Sequence, residues 1–348
     1  MLSKDLLKDP VGSTARDSLP RLSIAETGFN ERVQAYGATP IHREMLRDKV
    51  RVNAYAHALE RLAAGKVVAD FGCGTGILSI IAALKGASRV YGLELTPIAD
   101  LAKELVRQHE LEGKVQIIVG DASQVSLPEK VDILVSEWMG GLAVDENFVP
   151  ALVQCRKAHL KDGGLMIPAR AKGFAALAED PLLEAGMDCW FNGYHGVDLS
   201  SLAHLHSNEV LNARHEITAE RLLTPPAPLF DLDMQIVEAS DADFEFQGVC
   251  KAVRDGTVSC IAAWFECDMG EGSVLTNAPW APKTHWGRTA FPIGKPLRVR
   301  EGQQFVFTLS SRGFGLMKAV QTWSIAGDDI SQRSFSGAQV PTHSPGFH

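Results

Sequence analysis

The chain has 348 residues, 45% hydrophobic and 22% charged, an ordinary globular composition that excludes disordered, collagen-like and coiled-coil architectures and is long enough for two domains. Its 34 basic and 42 acidic residues leave a net charge of −8, which argues against tracking nucleic-acid phosphates and for cationic partners. Six cysteines with no C-x-x-C pair, no run of about 18 apolar residues, and an opening MLSKDLLKDP without an apolar core exclude a disulfide framework, a metal site, a membrane span and a signal peptide, so a cytoplasmic protein is expected.

Residues 1–40 are polar and broken by Pro10, Gly12, Pro20, Gly28, Gly37 and Pro40. They read as an N-terminal arm with one helix around Phe29–Tyr36. Ile41, Met45, Val52, Tyr55 and Leu59 keep a helical period and predict one helix over Ile41–Leu62. Strand and helix then alternate: Val67–Ala69, Gly76–Lys85, Arg89–Glu94, Ile98–Glu110, Val115–Val119, Val131–Ser136, Phe148–His159 and Leu165–Ile167. Short connections between them predict a parallel sheet with helices on both faces. After Pro168 the rhythm changes to alternating segments at Val258–Asp268 and Leu297–Leu309, the latter bent at Glu301-Gly302. Prolines at 225–228 and 279–282 punctuate them, so antiparallel β-structure is expected. Leu183–Asn212, with Trp190-Phe191 and spaced leucines, reads as a helical insertion, and residues 341–348 as a disordered tail.

The first predicted strand runs into Asp70-Phe71-Gly72-Cys73-Gly74-Thr75-Gly76. Glycines there let backbone amides approach a ligand at the carboxyl edge of the sheet. The spacing is G-x-G-x-G, with Ile77 where the dinucleotide fingerprint has its third glycine, and no Gly-Lys-Ser/Thr follows. Glu94 ends the next strand, where a carboxylate can accept both ribose hydroxyls, and Asp121 follows the third, within reach of an adenine edge. Acids where a phosphate site would need cations resemble the class I S-adenosylmethionine-dependent methyltransferases.

Ser136-Glu137-Trp138-Met139-Gly140-Gly141 leaves the fourth strand, and Glu146 follows nine residues after Glu137. Two carboxylates at the ligand edge can converge on one cation, and a guanidinium matches them in fork geometry. Protonated guanidine, with a pKa above about 12, is a poor nucleophile. Carboxylates that hold its charge on two nitrogens leave electron density on the third.

Glu137 through Glu146 resembles the double-E loop of the protein arginine methyltransferases. Thr284-His285-Trp286 resembles that family's THW loop, and Ile41-His42-Arg43-Glu44-Met45-Leu46, with Arg51 beyond, its pre-domain helix. The resemblance runs from about Ile41 to Leu309. It implies a Rossmann-like class I methyltransferase domain over residues 41–168, then an antiparallel β-barrel over 169–340. Residues 183–212 would be a dimerisation arm inserted in the barrel, making a homodimer. It places Glu137, Glu146, His285, Arg51 and Met45 at the reacting groups, with Trp286, Phe148 and Tyr36 around the substrate. S-adenosyl-L-methionine would meet His42, Arg51, Asp70, Gly72, Cys73, Gly74, Gly76, Ile77, Leu78, Glu94, Leu95, Gly120, Asp121, Ala122 and Glu137. Three features depart from the family: few aromatics ahead of His42, Phe148 in place of a common methionine, and Ser123 in place of a glutamate.

Three functions fit these residues. The first is methylation of arginine in polypeptides. The second is methylation of free arginine or another small guanidine, which needs a cation for the α-carboxylate, with Arg288 and Lys283 the candidates. The third is an inactive methyltransferase-like scaffold. The intact glycine turn and both glutamates favour an enzyme, and the acidic surface favours polypeptide arginine, without nucleic acid or membrane partners.

Overall fold

Residues 36–122, 124–211, 217–315, 318–327 and 330–335 are described in a computed structural model of the chain. Most of the N-terminal arm, Ser123 and the tail fall outside them. The expected helix over Ile41–Leu62 is two helices, α1 (Thr39–Arg47) and α2 (Lys49–Leu62). Asp48 separates them with a non-helical ψ of 87°, and its Oδ1 accepts from the Arg51 N–H at 2.9 Å. An aspartate in that role is an N-cap, which satisfies an otherwise unpartnered donor of the new helix.

Five strands follow: β1 (Val67–Phe71), β2 (Arg89–Glu94), β3 (Val115–Val119), β4 (Val131–Ser136) and β5 (Leu160–Ile167). They form one parallel sheet in the order β3-β2-β1-β4-β5. Helices α3 (Ile77–Leu84), α4 (Ala99–Gln108) and α5 (Val149–His159) connect them. β1, β2 and β4 are buried along nearly their whole length, as parallel strands covered on both faces must be. The strand order reverses direction between β1 and β4, which opens a crevice outside their carboxyl ends.

The second half is antiparallel. β6 (Arg170–Ala178), β7 (Ala227–Asp233), β9 (Gly256–Asp268), β10 (Val274–Thr276) and β11 (Thr289–Val299) form one sheet. β8 (Phe244–Lys251), β12 (Gln304–Gly315), β13 (Lys318–Gly327) and β14 (Ile330–Phe335) form another. The sheets pack through Phe230 on Phe244 and Phe291 on Trp323, with ring centroids 5.2 Å apart in each pair. They are barrel-like but not closed into one hydrogen-bonded barrel. The segment expected as one bent strand over Leu297–Leu309 is divided between β11 and β12, because Gly302 turns the chain at φ 83°. Between β6 and β7 stand α6 (Pro181–Asn192) and α7 (Ser200–His206), the expected helical insertion. The largest apolar cluster among the described residues spans both halves, taking in Val68 and Leu134 from the first and Phe265, Trp286 and Phe307 from the second, with two smaller clusters in the second half.

Candidate active site

The crevice at the carboxyl ends of β1 and β4 gathers most of the residues singled out in the sequence. Tyr36, His42, Met45, Arg51, Asp70, Gly72, Cys73, Gly74, Ile77, Leu78, Glu94, Leu95, Gly120, Asp121, Ala122, Glu137, Glu146 and Phe148 all line it. Leu46, Thr75, Thr96, Trp138 and Met139, which the sequence reading did not assign, line it too.

On one side lies the glycine turn. Gly72, Gly74 and Gly76 take positive φ of 69°, 55° and 78°, a backbone that side chains resist. A Cβ at Gly74 would stand 2.9 Å from His42 Cε1, so the turn and α1 are fitted together there. Glu94 closes the turn from the next strand. Its Oε2 accepts from Gly74 N–H at 2.8 Å, and its Oε1 accepts from the Thr96 N–H at 2.8 Å and hydroxyl at 2.7 Å. Asp70 is buried below, accepting from the Ser79 hydroxyl at 2.7 Å. Burial pushes its carboxyl up to about 7, against the opposing pull of the Ser79 hydrogen bonds. Burial likewise raises the Cys73 thiol well above its ordinary value, so it stays protonated.

On the other side lies the loop after β4. Arg51 donates through Nε to Glu137 Oε2 at 3.1 Å, places Nη2 2.9 Å from the same oxygen, and donates through Nη1 to the Met45 carbonyl at 3.0 Å. The Met139 N–H donates to Glu137 Oε1 at 3.2 Å. Glu146 Oε2 accepts from the Tyr36 hydroxyl at 3.3 Å, and the Tyr36 carbonyl lies 2.7 Å from His42 Nε2. Two carboxylates therefore share one crevice, the first fixed by a guanidinium from α2 and the second touched by a phenol from the start of the described chain.

Gly76, His285 and Trp286 are not among the lining residues. Gly76 is the left-handed residue ahead of α3. His285 places its backbone N–H and Nδ1 2.8 and 2.9 Å from Asp48 Oδ2. Burial works to raise the Asp48 carboxyl, but hydrogen bonds from His285 and Arg51 prevail and hold it below the usual carboxylate range. Trp286 is buried and donates through Nε1 to the Met139 carbonyl at 2.7 Å. Trp286, expected around the substrate, thus holds up the loop that carries Glu137. Asn277 does the same, donating to the Gly141 and Gly287 carbonyls at 2.8 and 2.9 Å. Asp48 carried a sequence signal that the helical period hid, since an aspartate three residues before Arg51 is a cap as readily as a helix-face charge.

Residues 68–164 match the family model of a methyltransferase domain, and residues 169–313 that of the arginine methyltransferase oligomerization subdomain. Over 286 residues the chain is 32% identical to protein arginine N-methyltransferase 6 of Xenopus tropicalis, covering 78% of this chain and 83% of that protein. The chain belongs to the protein arginine N-methyltransferase family. Protein arginine N-methyltransferase 1 of Schizosaccharomyces pombe is 31% identical over 310 residues, covering 86% of this chain and 89% of that relative. Among solved arginine methyltransferases, the Trypanosoma brucei PRMT1 enzyme–prozyme heterotetrameric complex with AdoHcy superposes with a TM-score of 0.79 at 28% identity. The alignment covers 86% of this chain and 99% of that one. Arabidopsis thaliana protein arginine methyltransferase 10 gives 0.76 at 25% identity, covering 87% and 99%.

Proposed function

We propose that this chain transfers a methyl group from S-adenosyl-L-methionine to a guanidino nitrogen of arginine in polypeptides, with Glu137 and Glu146 holding the guanidinium. It is an S-adenosylmethionine-dependent arginine methyltransferase, and the observation that carries the roles of its residues is the convergence of both glutamates with the glycine turn in one crevice. The donor set fits that cofactor. Glu94 suits a ribose, Asp121 an adenine edge, and Arg51 a carboxylate, while the acids of the site suit a sulfonium rather than a phosphate. Bound there, S-adenosylmethionine supplies an electrophilic methyl group.

The protein's part is positioning and electrostatics. Arg51 fixes the Glu137 carboxylate, and Tyr36 fixes Glu146. Together the two carboxylates draw guanidinium charge onto the nitrogens they touch and leave density on the nitrogen that reacts. Met45 and Phe148 bound the space around it. His285, held on Asp48, supports the start of the helix that carries Arg51. Arg288 argues for polypeptide over free arginine. It is buried and spends Nη2 on the Ala278 and Ala281 carbonyls at 2.8 Å each, so it does not face an α-carboxylate in the crevice.

The α6–α7 insertion is read as a dimerisation arm. Leu182, Phe191, Tyr194 and Val197 on it are exposed, as are Leu84 and Leu101 on α3 and α4 of the first domain. Apolar patches of this kind mark interfaces, and a homodimer buries both. The cysteines of the described chain are free thiols, in keeping with the cytoplasm as the compartment.

Mass spectrometry of products from labelled cofactor, with an Arg/Gly-rich peptide and free arginine offered together, tests the substrate and the roles at once. The peptide should be methylated. Glu137→Gln and Glu146→Gln should each lower turnover by about 10²- to 10³-fold, the scale of losing one transition-state electrostatic partner, while cofactor affinity changes little. Near-native turnover in both variants, or methylation of free arginine alone, would overturn the reading.

A further inference from the structure

The loop that carries both glutamates is held under backbone strain on either side of Glu146. Ala143 lies at φ 56° and ψ −69°, within a tight turn in which the Val144 N–H donates to the Leu142 carbonyl at 2.7 Å. Asn147 lies at φ 53° and ψ 42°. Both occupy the positive-φ half of backbone space, which costs about 1–3 kcal/mol for a residue with a Cβ and persists only where the surroundings over-determine it. At Ala143 the constraint is local, since Gly140 and Ala143 exchange backbone hydrogen bonds of 3.0 and 3.1 Å. At Asn147 it comes from the other domain. Its Nδ2 donates to the Gly315 carbonyl at 2.7 Å, across 168 residues of sequence.

The strand that receives this amide is shaped for it. A Cβ at Gly313 would collide with the Asn147 side-chain amide, so β12 presents bare backbone where the side chain lies. The Gly313 N–H is itself held by Asp243 Oδ1 at 2.8 Å. The β12–β13 register shifts between Gly313 and Gly315, a bulge that re-aims the strand end next to the loop. None of these contacts involves the cofactor side of the crevice.

We propose that Asn147 is a positioning residue that sets the Glu146 carboxylate from the second domain, through its hydrogen bond to Gly315 in the space left by Gly313. The inference rests on the reading of Glu146 as a substrate carboxylate. The amide locks the left-handed turn, and the turn fixes the direction of the residue before it. Substrate-side geometry thereby depends on the seating of the β12–β13 hairpin, while cofactor binding does not.

The test uses the full chain, labelled S-adenosylmethionine and an Arg/Gly-rich peptide. Asn147→Gly keeps the left-handed backbone without strain and removes only the amide. Gly313→Ala leaves Asn147 in place and fills its seat, and Gly313 lies outside the left-handed region, so alanine fits its backbone. Each should lower kcat roughly 5- to 10-fold, the loss expected of one hydrogen bond at the transition state. The cofactor dissociation constant should stay within about twofold, and the double variant should be no worse than the poorer single one, as residues acting through one contact are not additive. Wild-type kcat in both single variants, additive losses, or a parallel fall in cofactor affinity and thermal midpoint would each overturn the proposal. Glu146→Gln, run beside them, separates the two readings: native turnover there sinks the substrate role of Glu146 itself, whereas an inactive Glu146→Gln beside fully active Asn147 variants sinks only the latch.

Discussion

Arg51 and Glu137 form an ion pair at the floor of the crevice, 2.9 Å apart with side chains only 9% and 11% exposed. So deep a pair is worth less as a source of stability than as a constraint, because desolvation offsets most of its attraction. Removing one partner is a different matter, since the other is left buried and uncompensated. Arg51→Met should therefore lower stability by about 3 kcal/mol, and adding Glu137→Gln should recover about 1 kcal/mol or more of that. Urea midpoints of the two single variants and the double variant decide it. A double variant as unstable as the sum of the singles would show that the pair is not coupled.

Glu94 accepts three hydrogen bonds from Gly74 and Thr96 while facing the crevice. Glu94→Ala should weaken S-adenosylmethionine binding by about 1.5–3 kcal/mol, the range for hydrogen bonds to a charged group. Calorimetric titration measures it directly, and unchanged affinity would remove Glu94 from the ribose role.

Asp70 gives the fold a pH dependence of defined sign. Burial pushes its carboxyl up to about 7, whereas an unfolded aspartate titrates near about 4. The native state then holds a proton that the unfolded state has lost. The contribution is full below the unfolded value and disappears as pH rises through about 7. In cofactor-free protein, unfolding free energy should fall between pH 5 and pH 8, and Asp70→Asn, which cannot ionise, should flatten that slope. A slope identical in the wild type and the variant would assign it to other groups.

The insertion is tested by charge. Phe191→Glu and Val197→Glu place carboxylates on exposed positions of the arm, where a monomer should tolerate them within about 0.5 kcal/mol. Light scattering at micromolar concentration should show the wild type as a dimer and the double variant as a monomer. A wild-type chain that is a stable, active monomer would mean that these residues only cover their own domain.

Much of this was legible in the sequence, for reasons that differ from element to element. The strands β2, β3 and β4 begin and end where the sequence places them: β2 and β4, buried on both faces, read as apolar runs bounded by turns, and β3, a half-buried edge strand, keeps a short β-branched run between polar connections. The glycine turn and the carboxylates at strand ends were legible because the crevice must open at the carboxyl edge of such a sheet. The break at Asp48 was not, since Met45, Val52 and Tyr55 continue one helical period across it. Nor could periodicity show that Trp286 faces the Met139 carbonyl, 147 residues away, or that Asn277 reaches Gly141 across 136 residues. Local pattern tells which residues are buried. It does not tell which distant backbone they satisfy.

Asn277 and Trp286 also bear on how the molecule comes apart. Both belong to the antiparallel half, and both donate to carbonyls of the glutamate loop in the wound half, at Gly141 and Met139. Asp48 of the wound half reaches back to His285. Neither half can loosen without orphaning buried donors or acceptors in the other, and the apolar core runs between them unbroken. On heating, the two halves should melt as one calorimetric unit. An isolated cofactor domain, cut at the Pro168 junction, would be left with a glutamate loop that has lost its scaffolding.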